Sequence, residues 1–191
     1  MGRCSLPRPS GSTAFSLTTL APWTEPPAPA RLALRPFRPS EDAALLRSWV
    51  TGPTALMTWA GPHLAWPLDD AQLTAYAAEP GRRTWTAVTP DGTPVGHVSL
   101  ADGRLGRVLI APAARGRGLG EALVSLVVTH AFGELGLPEI RLGVWAHNTA
   151  ARRIYARLGF RTEQVLEAVE HVDGEPWSVH RMRLTAPGLG Q

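Results

Sequence analysis

The feature that most constrains the fold is a glycine-rich turn between an apolar segment and a long amphipathic segment. Residues 108–110 read Val-Leu-Ile, residues 115–120 read Arg-Gly-Arg-Gly-Leu-Gly, and residues 121–135 carry apolar side chains at helical spacing. Glycines let successive backbone N–H groups converge on an anion at the start of a helix, where the helix dipole is positive. The pattern therefore predicts a strand, a pyrophosphate-binding turn and a helix in succession.

The glycine spacing separates this turn from two other phosphate-binding motifs. A dinucleotide-binding fingerprint needs G-x-G-x-x-G in the first strand-helix unit of a parallel sheet, whereas the glycines here follow G-x-G-x-G. A P-loop needs Gly-Lys followed by Ser or Thr, and the chain contains no lysine. Both motifs are therefore excluded.

Helix caps and Asp-Gly turns place the remaining elements. The predicted strands span residues 31–37, 84–88, 95–100, 105–110, 141–145, 163–171 and 177–184. The predicted helices run from an N-cap at Ser40 to about residue 50, from an N-cap at Asp69 to residue 77, over residues 121–135 before Gly136, and over residues 148–158 before Gly159. An aromatic loop is expected at residues 59–63. The order predicts an α/β fold with a mixed sheet of about seven strands and helices on both faces.

A second motif follows the strand at residues 141–145. Asn148 precedes Ala151 by three residues and Tyr155 by seven, and Gly159-Phe160 follows. Taken alone, Asn148 is most simply a helix N-cap and Tyr155 a core aromatic residue.

With both motifs in this order, the chain resembles the GCN5-related N-acetyltransferase (GNAT) superfamily from about residue 31 to residue 184. The layout is similar to the branch that includes ribosomal-protein and small-amine acetyltransferases. Arg115, Gly118 and Gly120 fill the family pattern of Arg or Gln, two residues, Gly, one residue, Gly or Ala. A glycine-rich bend without a ligand is the alternative, and the family order of Pro112, turn and helix disfavours it. The resemblance implies a single acetyltransferase domain over residues 31–187.

The resemblance also implies the site. Acetyl-CoA is the expected co-substrate, with its pantetheine arm on a strand backbone, one amide of which stabilises the oxyanion. Tyr155 is the expected catalytic residue and protonates the departing thiolate. The expected cofactor-binding residues are Val108, Leu109, Ile110, Arg115, Gly116, Arg117, Gly118, Leu119, Gly120 and Asn148.

The general base and the acceptor pocket are open at this stage. Many relatives carry a Glu near the glycine strand or on the strand before the asparagine, but here residues 108–111 hold no acid and Gly143 occupies the later strand. The alternatives for the base are a water chain or one of four side chains, His97, His147, Glu170 and His171. The candidate pocket walls, for which burial in the core is equally compatible, are Trp59, His63, Trp66, Trp145 and Trp177.

Charge and composition exclude other classes. Residues 1–40 hold five arginines against one acid, but residues 41–191 hold 14 arginines against 15 acids, so the body of the protein is nearly neutral. The lone Cys4, the absence of a Cys/His cluster and the absence of a long apolar run predict a cytoplasmic protein without metal, nucleic acid or membrane as partner. We expect residues 1–30 to be a disordered Pro/Ser/Thr-rich tail or an overextended start.

The function expected is direct transfer of acetyl from acetyl-CoA to a primary amine, on a small molecule or a protein N-terminus, within a ternary complex. A non-catalytic CoA-binding module is the first alternative. A nucleic-acid-binding protein that uses the arginine-rich tail is the second, and the nearly neutral body disfavours it. The resemblance also admits a homodimer.

Overall fold

The computed structural model describes Met1 and residues 31–187. The tail expected over residues 1–30, with Cys4, lies outside the described residues apart from Met1. The helices are α1 (Pro39–Trp49), α2 (Pro53–Ala60), α3 (Asp70–Ala77), α4 (Leu119–Gly133) and α5 (Thr149–Arg157). The strands are β1 (Ala33–Pro36), β2 (Arg82–Val88), β3 (Pro94–Ala101), β4 (Arg104–Ile110), β5 (Glu139–Trp145), β6 (Arg161–Val172) and β7 (Glu175–Thr185).

One mixed sheet of seven strands organises the chain. Its order is β1-β2-β3-β4-β5-β7-β6, and every neighbouring pair is antiparallel except β4 and β5, which are parallel. The Asp102-Gly103 and Asp173-Gly174 turns both have positive φ angles, which is the geometry that suits a two-residue hairpin. The predicted meander, terminal hairpin and mixed sheet are confirmed.

Helices cover both faces of the sheet, as predicted. Helices α4 and α5 pack against Val98 and Leu100 of β3 in one apolar cluster. Helices α1, α2 and α3 form a second cluster with Phe37. Because side chains alternate across a strand, His97 points to the opposite side from Val98 and contacts Phe37 in this second layer. None of the helices in residues 31–187 is long and apolar enough to cross a bilayer.

The start of α1 differs from the prediction. Ser40 is inside the helix, and Arg38 occupies the cap position without a side-chain hydrogen bond. Pro39 fits the first helical position because its missing N–H needs no partner there. The backbone N–H of Arg38 donates instead to the carboxylate of Asp42, at 3.0 Å. The predicted Ser40 cap is therefore wrong, whereas Asp69 does cap α3 by accepting from the Gln72 N–H.

Helix α2 was not predicted. It begins with Pro53 after Gly52 and buries Leu56 and Trp59, so the aromatic loop expected at residues 59–63 is helical in its first part. A single 3₁₀ turn, Gly61–His63, follows it. The segment is only eight residues long and carries no capping side chain, and its stability comes from packing, which sequence periodicity does not report.

Helix α4 ends at Gly133, two residues before the predicted end, and Asn148 caps α5 as predicted. Gly136 has φ +63°, and the N–H of Leu137 donates to the carbonyl of Ala131 at 3.0 Å, which closes the end of α4. Asn148 caps α5 by accepting from the Ala151 N–H at 3.2 Å. Helix α4 starts at Leu119, two residues before the predicted start.

Candidate active site

A deep cleft opens where β4 and β5 separate. Within the described residues the two strands pair in register only at Arg104 and Arg141. From Leu105 onward, the edge of β4 that faces β5 therefore lacks a strand partner. The resulting cleft has a volume of about 1440 Å³, which exceeds the roughly 300–1,000 Å³ of an ordinary small-molecule site. It is large enough for two substrates.

A bulge in β4 shapes the middle of this cleft. His97 pairs with Leu109 and Ser99 with Gly106, so two residues of β4 lie opposite one residue of β3. Arg107, inside the bulge, has φ +51°. The indole N–H of Trp59 donates to the Arg107 carbonyl at 2.8 Å and holds the bulge in place. Bulges of this kind re-aim side chains next to functional sites.

The glycine-rich turn meets the N-terminus of α4 as predicted. Gly116 and Gly118 have φ +76° and +74°, a left-handed conformation that side chains disfavour. A Cβ at either position would meet nothing within 4 Å, so the backbone conformation, and not lack of space, requires glycine. No side chain caps this end of α4, which leaves the N–H groups of its first turn available for an anion.

Six of the ten predicted cofactor-binding residues line the cleft, and four do not. The six are Val108, Leu109, Ile110, Arg115, Gly120 and Asn148. The four outside the lining are Gly116, Arg117, Gly118 and Leu119. The side chain of Leu119 is buried against Val95, Ala111 and Ala114, so only its backbone could reach a ligand.

Close packing of α5 on α4 brings the second motif to the cleft. A Cβ at Gly120 would lie 3.1 Å from Cδ1 of Ile154, so glycine permits the close approach. Arg157 donates two hydrogen bonds to Oε2 of Glu121, at 2.9 and 2.6 Å. Asn148 and Tyr155 on α5 consequently line the cleft beside β4.

Tyr155 is a buried phenol at the cleft wall. Its side chain is packed edge-on against Phe160, and the residue is 7% exposed. Burial raises the pKa of Tyr155 above its ordinary value. The hydroxyl therefore stays protonated at neutral pH and can donate a hydrogen bond or a proton to a more basic group.

The structure sorts the candidate bases by position. His147 and Glu170 line the cleft, whereas His171 does not. His97 is fully buried outside the cleft lining, with its Nε2 3.0 Å from the Tyr76 hydroxyl. Burial, with a smaller contribution from Arg107, lowers the pKa of His97 to about 3. The interpretation of His97 as a base is wrong, because the ring cannot reach a substrate.

The candidate aromatic walls divide in the same way. Trp59, His63 and Trp145 line the cleft. Trp66 is 47% exposed and lies outside the lining, so its assignment as a wall is wrong. Trp177 also lies outside the lining and packs against the ring of His147, with centroids 4.2 Å apart.

Sequence reasoning missed most of the charged side chains that line the cleft. The arginines of the lining are Arg82, Arg104, Arg107, Arg115 and Arg181, and its acids are Glu79 and Glu170; of these only Arg115 and Glu170 were predicted as site residues. The sequence did contain one sign of this charge: an arginine stands inside the otherwise apolar strand Leu-Gly-Arg-Val-Leu of residues 105–109. Among residues 31–187, no group of three or more His, Cys, Asp or Glu side chains is placed to hold a metal ion.

Comparison with known proteins identifies the family. The profile of the acetyltransferase (GNAT) domain matches residues 31–161, which is most of the described chain. The chain belongs to the GNAT acetyltransferase family. Both the glycine turn and the helix with Asn148 as its cap lie within the matched residues.

Two GNAT relatives are mycothiol acetyltransferases. The protein from Streptomyces griseus is 34% identical over 147 residues, covering 74% of this chain and 47% of the relative. The protein from Salinispora tropica is 32% identical over 152 residues, covering 73% and 48%. The chain thus spans about half the length of these relatives.

The GNAT fold also matches a solved structure. Spermidine N-acetyltransferase from Vibrio cholerae, in complex with CoA and spermine, superposes with a TM-score of 0.71 over 81% of this chain and 95% of that chain. The two are 20% identical, so the likeness concerns the fold.

Proposed function

We propose that the chain transfers an acetyl group from acetyl-CoA to a primary amine by direct attack within a ternary complex. Membership of the GNAT family supports the reaction class. The observation that carries the proposal is the unpaired edge of β4 beside the glycine turn at the start of α4. An unpaired strand edge offers backbone donors and acceptors to an extended ligand.

Different residues of the cleft would bind different parts of acetyl-CoA, which supplies an activated thioester. The backbone of residues 108–110 would bind the pantetheine arm and donate an N–H to the thioester oxygen as negative charge develops. The first-turn N–H groups of α4, with Arg115 and Arg117, would hold the pyrophosphate. Asn148, whose Oδ1 is used by its own helix cap, keeps its amide nitrogen free to donate to the arm.

Tyr155 would donate its proton to the departing thiolate, since burial keeps the hydroxyl protonated. His147 and Glu170, the two candidate bases in the cleft lining, are the alternatives for the group that takes the proton from the amine. The acceptor would be a small molecule or a peptide N-terminus. The proposed reaction needs no metal ion. We place the protein in the cytoplasm, and a homodimer would be compatible with the reaction.

Calorimetry with CoA and the purified full chain tests the proposal. We expect Gly118→Asp to weaken CoA binding at least tenfold, a loss of about 1.4 kcal/mol, because it adds negative charge and a Cβ at the left-handed helix cap. Gly174→Asp is the matched control, since Gly174 also has positive φ with open space around its Cα and lies in the β6-β7 hairpin turn, on other strands than the glycine turn. No CoA uptake by the wild type, or unchanged uptake by Gly118→Asp, would refute the proposal.

A thiol-release assay with acetyl-CoA completes the test. Amino acids, polyamines, aminoglycosides and N-terminal peptides are the acceptors. We expect release that depends on at least one of these amines.

A non-catalytic CoA-binding module is the second candidate. The observation in its favour is the scarcity of acids in the cleft lining, where Glu79 forms an ion pair with Arg82 and leaves only Glu170. CoA uptake without thiol release on the whole panel would decide for this alternative.

A further inference from the structure

Arg107 lies at the end of the cleft opposite the glycine turn. It precedes residues 108–110 on β4, so it lies beyond the segment proposed to hold the pantetheine arm. Arg107 is among the lining residues of the cleft, and its guanidinium stacks over the ring of Tyr76, with its central carbon 4.5 Å from the ring centroid. The hydrogen bond from Trp59 to its carbonyl holds the bulge that aims this side chain.

Arg107 carries a positive charge that has no directly bonded counter-ion among the described residues. No carboxylate of residues 31–187 forms an ion pair with it, and its buried Nε has no hydrogen-bond partner there. Arg82, whose guanidinium carbon lies 5.1 Å from the centroid of the same Tyr76 ring, is paired with Glu79. The guanidinium of Arg107 is therefore available to a ligand anion.

A half-buried guanidinium without an anion costs free energy because its charge loses part of its hydration. Proteins seldom keep such an unpaired charge unless it has a role. Burial is the main cause that lowers the pKa of Arg107; Arg82 acts in the same direction, and Tyr76 and Glu79 oppose it more weakly than burial lowers it. A ligand carboxylate would remove this cost by accepting two parallel hydrogen bonds from the guanidinium.

We propose that Arg107 binds a carboxylate of the acceptor, and that the acceptor is a small amine that also carries a carboxylate, of the amino-acid class. This inference rests on the proposed function. The carboxylate would anchor the acceptor at Arg107, and its amine would face the thioester beside residues 108–110. A polyamine, which carries only positive charges, would meet a like charge at this end of the cleft.

Matched pairs of acceptors test the inference in the thiol-release assay. Each pair consists of an amino acid and its carboxamide, for example methionine and methioninamide, and spermidine is the polycationic comparison. The carboxylate raises the pKa of the neighbouring ammonium, so the amide has the more reactive amine. A preference for the acid therefore cannot come from intrinsic reactivity.

We expect kcat/KM to be at least tenfold higher for the acid of the best pair than for its amide or for spermidine. Arg107→Gln should remove this preference by raising KM for the acid, with little change for the amide. Arg107→Lys should retain part of it. Arg83→Gln is the charge-matched control and should behave as wild type. Arg83 follows Arg82 on β2 and lies outside the lining of this cleft.

Several results would overturn the inference. One is turnover that is equal or higher with amides or spermidine. Another is weaker binding of CoA alone to Arg107→Gln than to wild type, since the charge would then serve CoA. A third is equal loss of activity on acids and amides, which indicates a structural role for the stack on Tyr76.

Failure of the proposed function gives a different result. If the chain takes up CoA but releases no thiol with any amine, transfer is refuted while the carboxylate site is still measurable. Calorimetry of methionine with the CoA-loaded chain then decides. Binding that Arg107→Gln weakens supports the site, and binding that is absent or unaffected overturns it.

Discussion

At the scale of single residues, the cleft depends on polar groups whose protonation is set by burial. Tyr155 lies at its wall with a raised pKa, and His97 lies behind it with a lowered pKa. Desolvation favours the neutral form of both side chains. The Tyr155 phenol therefore keeps its proton at neutral pH, and the His97 imidazole is an uncharged core residue there.

Replacing Tyr155 with Phe tests its chemical role. The substitution keeps the ring that packs on Phe160 and removes only the hydroxyl, so the fold should persist. We expect kcat to fall about 100-fold with little change in KM for acetyl-CoA, because the lost group acts in the transition state. Steady-state kinetics, with thermal melting as the fold control, measure this. Unchanged turnover would remove Tyr155 from the mechanism.

The neutral His97 predicts how stability depends on pH. The groups around it are Tyr76 on α3, Arg107 on β4 and Asp42 on α1; Arg107 opposes its protonation and Asp42 favours it. The folded protein keeps the ring neutral down to about pH 3, whereas the unfolded chain takes up a proton near pH 6.5. The free energy of unfolding should therefore fall as the pH decreases between these values, by up to about 1.4 kcal/mol per pH unit.

Chemical denaturation at several pH values between 7 and 4 measures this slope, and His97→Gln is the comparison. The variant lacks the titrating group and should show a shallower fall, whatever its stability at pH 7. Equal slopes in the two proteins would mean that His97 is protonated in the folded state, contrary to our expectation.

At the scale of elements, the close contact between β3 and β4 positions the cofactor strand. A Cβ at Gly96 would lie 2.9 Å from the carbonyl oxygen of Leu109, with Ile110 and Leu123 also within 3.2 Å. Backbone cannot retreat as a flexible side chain can, so this glycine sets the spacing of the two strands. The bulge at Arg107 lies two residues before Leu109 on β4.

Gly96→Ala should lower the free energy of unfolding by about 1–3 kcal/mol through overpacking. It should also weaken CoA binding, because it displaces Leu109. Gly106→Ala is the matched control on β4, where the nearest atom to a new Cβ is the Ser99 hydroxyl at 3.7 Å. Urea denaturation compares the two. Equal destabilisation of both variants would contradict the role assigned to the close contact at Gly96.

At the scale of the whole molecule, the sheet consists of two parts joined weakly along the cleft. Strand β5 pairs with β7 over its full length, Glu139–Trp145, but with β4 only at Arg104 and Arg141. Contacts from α2 bridge the parts, since the Trp145 indole donates to the Met57 carbonyl at 3.1 Å and Thr54 donates to Asp173 at 3.0 Å. A ligand in the cleft would add a further bridge.

CoA should therefore stabilise the whole domain. At a CoA concentration 100 times the Kd, the free energy of unfolding should rise by about 2.7 kcal/mol, which corresponds to a Tm increase of roughly 5–10 °C for a domain of this size. Differential scanning fluorimetry measures the increase, and hydrogen exchange should slow along residues 105–110. At the same CoA concentration Gly118→Asp, whose binding is at least tenfold weaker, should gain at most about 1.4 kcal/mol and no more than about half of this Tm increase; an equal increase would place the binding elsewhere.

Local chemistry in the sequence was sufficient for much of the fold. The glycine turn, the Asp-Gly hairpins and the Asn148 and Asp69 caps each depend on neighbouring residues, and each is found as predicted. Helix α2 and the start of α1 were not predicted correctly, because both depend on packing or on an unexpected proline start.

The sequence by itself thus determined every strand, all helices except α2, and the local structure of the two motifs of the cleft, because these are set by short-range preferences; the family followed from the resemblance that the two motifs carry. Only the tertiary structure decided which polar residues share a surface. It buries His97, excludes Trp66 and stacks Arg107 on Tyr76, although 31 positions separate that pair in the chain. Such contacts depend on how the sheet opens between β4 and β5, and spacing along a single chain does not record that opening.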